Sequence, residues 1–170
     1  MAAFAEALGS PLVRGEGVPL TASVDHPIAP KPLLEAVVRA AAGVFDAAAA
    51  SLALVDGGEL VYQVAWGAGA REVPGIRLER GVGLAGSVVA SGQGVAVASC
   101  RSDPRFAESV AAGTGYVPHT MLVVPVRREA EVVGVLSLLD QRDGEGFRSD
   151  DVERAQHLAD LALAAVDATA

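Results

Sequence analysis

The chain has 170 residues, 51% of them hydrophobic and 20% charged, with a formal net charge of −8. That length and apolar content suit one packed domain and exclude an intrinsically disordered chain. The acidic balance, with Lys31 the single lysine and the arginines scattered, excludes the clustered cations that a nucleic-acid surface or an anionic membrane face requires.

Residues 1–30 differ from the rest. Ala2 to Leu8 could form a short helix, but Gly9, Pro11, Gly15, Gly17, Pro19, Pro27 and Pro30 then punctuate the chain too often for a regular element. They read as an arm or linker, with a domain over 31–170. The N-terminus lacks the basic and apolar segments of a secretory signal, and apolar stretches elsewhere break well before the ~20 residues of a membrane span. Cys100 is the one cysteine, so no intrachain disulfide and no cysteine-based zinc site can form. A soluble, cytoplasmic protein is expected.

Pro32 suits the first turn of a helix, where its missing N–H costs little. Leu33, Leu34, Val37, Val38, Ala41, Val44 and Phe45 recur at helical spacing, which predicts a helix over 32–46. Ser51–Val55 reads as a strand, Asp56-Gly57 as a hairpin turn, and Leu60–Trp66 as the return strand. On a regular strand Leu60, Tyr62, Val64 and Trp66 share one face. Ile76–Leu78 is a third strand. The glycine-framed stretch Gly81–Gly92 reads as a short helix, and Val95–Ala98 as a strand. Residues 99–119 read as a loop with a helical turn or two near 104–112; long loops within compact domains are often functional.

Thr120–Arg127 and Val132–Asp140, joined by the charged turn Arg128-Glu129-Ala130-Glu131, read as an antiparallel hairpin. Both faces of both strands are apolar, whereas a strand facing water on one side should alternate with polar residues. Something must therefore cover each side of the sheet, which makes three layers. Ser149 as N-cap, with Asp150 and Asp151 in the first turn, starts the last helix.

This order, α, β-β-β, short α, β, loop, β-β, α, resembles the GAF domain family of small-molecule-binding sensory modules, over roughly residues 32–168. The resemblance rests on Gly83-Leu-Ala-Gly86 leading to Gly92-Gln-Gly-Val, on Asp103-Pro-Arg-Phe106, on Met121-Leu-Val-Val-Pro125-Val, on Val133-Gly134-Val-Leu-Ser-Leu, and on Phe147 with Asp150 and Asp151. It implies an α+β, three-layer fold with a central, mostly antiparallel sheet of about six strands. Terminal helices would lie on one face. The short helix and loops would cover a cavity on the other. It also reconciles Pro125 with a central strand, since the family often carries proline there, and a local bulge or an unpaired ladder position is expected at Pro125.

The same resemblance narrows the chemistry. Nothing in residues 80–130 matches the family's cyclic-nucleotide motif, and only Arg101 and Arg105 could clamp a phosphate. The stretch before Pro125, Thr114-Gly-Tyr-Val-Pro-His-Thr120, has no cysteine for a bilin. Cys100 alone cannot complete the disulfide cycle of a methionine sulfoxide reductase. His119 occupies the right region for an axial haem ligand, but loop capping is the simpler role. Asp103-Pro-Arg105 makes a good structural turn. Gly81-x-Gly83-x-x-Gly86 spells a dinucleotide fingerprint outside any βαβ unit and is discounted.

A non-catalytic sensory domain is therefore expected, binding a small molecule of unidentified chemistry. The residues placed at the ligand are Trp66, Cys100, Phe106, Tyr116, His119 and Met121. No cofactor can be named. Signalling would run through a homodimer formed by helices 32–46 and 149–168. The alternative is a ligand-free dimerisation or docking module, and a third reading is a reductase using Cys100 with an external thiol. A large polar-lined cavity would favour the first, and a packed interior the second.

Overall fold

A computed structural model of the protein describes residues 31–168. The expected arm over 1–30 lies outside the described residues. Four α-helices, α1 (Lys31–Val44), α2 (Gly83–Ser91), α3 (Glu108–Gly113) and α4 (Ser149–Asp167), accompany six strands among the described residues. The strands are β1 (Ala47–Asp56), β2 (Glu59–Gly67), β3 (Arg77–Glu79), β4 (Val95–Val97), β5 (Met121–Arg128) and β6 (Glu131–Gln141). They form one sheet in the order β3-β2-β1-β6-β5-β4, antiparallel at every pairing.

The layers follow the expectation from the doubly apolar hairpin. Leu34, Val38 and Ala41 of α1 and Ala155, Ala159 and Ala162 of α4 pack on one face, against Leu52, Leu122, Val124, Leu136 and Leu138. Truncating one of these fully buried leucines to alanine should cost ~2–5 kcal/mol. The other face carries α2 and the long loop over Ala53, Leu60, Met121, Val123 and Val135.

Several local expectations needed correction. The first helix ends at Val44, with Asp46 in the left-handed region at φ 48°. Leu33 and Val44, predicted for its apolar stripe, are 42% and 57% exposed. Ala47–Ala50 are strand although alanine favours helix, because β1 runs between β2 and β6 and backbone pairing on both sides overrides propensity. Arg148, not Ser149, precedes the first helical residue of α4, and Arg148 N–H donates to Asp151 Oδ2 at 2.9 Å.

The face of β2 is the correction with most consequence. Leu52 pairs with Val64, but Ala53 pairs with Tyr62, so Gln63 is an extra residue. A one-residue bulge inverts every side chain beyond it. Leu60 and Tyr62 therefore face the α2 side, whereas Val64 and Trp66 join the α1–α4 side. A second shift, between Val126 and Arg127, comes just after Pro125, whose own carbonyl accepts from Gln156 Nε2 at 2.8 Å. At Gly134 an added Cβ would lie 2.4 Å from the Ala53 carbonyl, so only glycine lets β6 approach β1 there.

Candidate ligand cavity

Small residues leave a space between the sheet and its α2-side cover. Ala49 and Ser51 of β1, Ala65 of β2 and Ser137 of β6 form a shallow floor; Ala85 of α2 and Ala107 and Ala111 around α3 form part of the roof. With aromatics only 4% of the chain, few rings are available to fill the gap. The space, which is partly open, has a volume of about 100 Å3 and is bounded also by Tyr62, Ile76, Leu78, Leu84, Phe106, Tyr116 and Met121. No lining residue among those described is charged.

Three floor positions carry hydroxyls. Ser51 and Ser137 sit directly opposite each other across β1 and β6. Ser137 is 1% exposed, and its Oγ is the one buried side-chain polar atom among the described residues without a hydrogen-bond partner. Burying an unpaired hydroxyl costs ~1–3 kcal/mol. Tyr62 stands beside them, and burial pushes its phenol up to about 12, so it stays neutral.

The roof is tied down at one end by a carboxylate. Asp140, at the end of β6 with φ 48°, accepts from Tyr116 Oη at 2.5 Å, from the backbone N–H of His119 at 2.9 Å, and from that of Thr120 at 2.7 Å. Burial and this bond raise the Tyr116 phenol well above its usual range. Gly69, at φ 68°, makes room for the Tyr116 side chain; a Cβ there would lie 2.8 Å from Tyr116 Cβ.

The six residues expected at a ligand divide four to two. Phe106, Tyr116 and Met121 line the cavity, and Trp66 borders it while packing against the α1-side core under the Arg142 guanidinium. Cys100 and His119 do not line it. The His119 side chain is exposed; its backbone does the work, accepting from Cys100 N–H at 2.7 Å. Cys100 is fully buried, and burial, with smaller effects of Asp140 and Asp103, pushes its thiol up to about 12. A thiol that is neither ionised nor reachable is a poor nucleophile. Asp103 accepts from the Arg105 N–H at 2.9 Å and Nη2 at 2.7 Å, so this pair is the structural turn expected. Ser51 and Ser137 were not singled out in the sequence. Their signal is a hydroxyl inside an otherwise apolar central strand.

The pattern of the GAF domain family matches residues 30–166. The chain belongs to the GAF domain family. GAF domains are a family often regulatory and often ligand-binding. A probable 3',5'-cyclic phosphodiesterase of Caenorhabditis elegans is 33% identical over 76 residues, which is 45% of this chain but 10% of that protein. The chain thus spans about a tenth of that relative. Among solved structures, the GAF domain of a phosphoenolpyruvate-protein phosphotransferase from Coxiella burnetii superposes with a TM-score of 0.71 at 23% identity, covering 84% of each chain. A free methionine-R-sulfoxide reductase from Neisseria meningitidis, in complex with its substrate, gives 0.65 at 22% identity, covering 80% of this chain and 77% of that one. At such identity these likenesses show the fold alone. No helix among the described residues is long and apolar enough to cross a membrane.

Proposed function

We propose that this chain is a non-catalytic, cytoplasmic regulatory GAF domain that binds a small molecule in the cavity and signals through α1 and α4 paired with a second copy. The observation that carries this reading is the apolar, partly open space beneath a roof held to β6 by Asp140. Phe106 and Tyr116 would contact the ligand from the roof, and Met121 and Trp66 from the sheet. Cys100 and His119 would act on the roof without touching the ligand.

A contiguous route leads from roof to helices. Beyond Asp140, Gln141 Nε2 donates to the Phe45 carbonyl at 3.2 Å, and Arg142 N–H to that of Asp46 at 2.9 Å, at the end of α1. Phe45 meets Phe147, just before α4, edge to face at 6.4 Å. A ligand that moves Tyr116 would therefore bear on both terminal helices, provided it binds one arrangement better than the other. The buried, neutral Cys100 supports the non-catalytic reading over a reductase. Native mass spectrometry of freshly purified protein tests the proposal: a dimer carrying a small added mass is expected, and a bare chain that gains no mass from a metabolite extract argues against it.

A docking module without ligand is favoured by one observation. Leu161 on α4 is 58% exposed and Val44 on α1 57%, and exposed apolar side chains on outer helices suit a protein partner. That reading predicts dimers or complexes indifferent to any small molecule.

A further inference from the structure

We infer that the cavity takes a small uncharged molecule, smaller than a benzene ring and bearing a single oxygen or nitrogen, anchored by the hydroxyl of Ser137. This rests on the ligand-binding reading above and specifies its ligand.

Three observations converge. The first is charge. A carboxylate, phosphate or ammonium taken out of water needs a partner, and none of the lining side chains is charged. Asp140, which holds the lining Tyr116, already accepts from that hydroxyl and from two backbone N–H groups. Arg105 is engaged by Asp103. A nucleotide or a free amino acid would enter without compensation.

The second is size. About 100 Å3 holds roughly four non-hydrogen atoms, since an apolar cavity of about 150 Å3 accommodates the six of benzene. That excludes a nucleotide, a haem or a bilin.

The third is the orphaned hydroxyl. Ser137 Oγ is buried on the cavity floor with no protein partner. Ser51 lies opposite it, and Tyr62 on the same face keeps its proton. A hydroxyl both donates and accepts, so this floor suits a neutral alcohol, ketone or amide. The apolar roof of Leu84, Phe106 and Val110 would then cover its carbon skeleton.

Four probes of similar size decide the matter: neutral isopropanol and acetone, cationic isopropylammonium, and anionic acetate. Each is titrated into the isotope-labelled full chain, and amide resonances of Ser51, Tyr62 and Ser137 are followed, with those of Leu33 and Leu161 as controls. The expected result is saturable shifts at the cavity for the neutral probes, with the charged ones at least about tenfold weaker. Ser137→Ala should fold and bind the neutral probes about five- to tenfold more weakly, the loss of one hydrogen bond. Charged probes binding the cavity equally or better would overturn the ligand class and leave the sensory reading standing. No cavity shift with any probe would overturn both. Unchanged affinity in Ser137→Ala would remove Ser137 as the anchor.

Discussion

Tyr116 and Asp140 stand 24 residues apart and meet through a 2.5 Å hydrogen bond that joins the cavity roof to the end of β6. The same carboxylate holds the backbone of His119 and Thr120. One side chain therefore fixes where the roof lies, and Asp140→Ala releases all three partners. Its stability should fall by about 2–4 kcal/mol, and Tyr116→Phe by about 1 kcal/mol. Urea titration measures both. Amide exchange at His119 and Thr120 should quicken in the Asp140 variant; unchanged protection there would contradict the latch.

Alkali should destabilise the fold through Cys100. The thiol ionises near 9 when unfolded but only near 12 when buried. Between those values the unfolded chain releases a proton that the folded chain keeps. Stability is thus fully present below about pH 9 and lost as pH rises toward 12. Tyr62 and Tyr116 act in the same direction at higher pH. Denaturation midpoints at about pH 8 and about pH 10 should differ less in Cys100→Ala than in the parent. A thiol reagent at neutral pH should label the native protein at least about tenfold more slowly than the unfolded chain.

Gly134→Ala should be severe for so small a change. The new Cβ meets the Ala53 carbonyl and, at 2.9 Å, Leu54 Cδ2, so the β1–β6 pairing must open. A loss of about 3 kcal/mol or more is expected by thermal or urea unfolding. A near-neutral result would mean that β6 can shift its register there.

Ser137→Ala should stabilise the ligand-free protein slightly, by about 0.5–1 kcal/mol, and so raise its melting temperature, because it removes a buried, unpaired hydroxyl. That gain is the one expected of a hydroxyl held for a ligand rather than for the fold. A clear loss of stability in this variant would instead give the hydroxyl a structural role.

The outer helices carry the assembly prediction. Leu161→Glu should leave the fold intact, since that side chain lies largely in solvent. It should lower any self-association measured by sedimentation, because a charge would then face the partner. Identical sedimentation of variant and parent would exclude this part of α4 from an interface.

The order of elements, the hairpin of β5 and β6, the three layers and the Asp103–Arg105 turn were all legible in the chain, because each is written in neighbouring residues. Period, turn chemistry and doubly apolar strands act over a few positions, and the family's short motifs lie within them. Phe106, Tyr116 and Met121, expected at the site, also line the cavity, since the roofing loop and the start of β5 could be placed from element order alone. Tertiary structure decided the remainder. The extra residue at Gln63, which sends Trp66 to the helix side and Tyr62 to the cavity, appears only when β2 pairs with β1. The burial of Cys100 and exposure of His119 depend on how the loop lies against β6, held by Asp140 twenty residues downstream. Ser51 and Ser137 become a pair only through strand register. Side-chain direction in a sheet inverts with a one-residue shift, and the contacts that set the shift lie far apart in the chain.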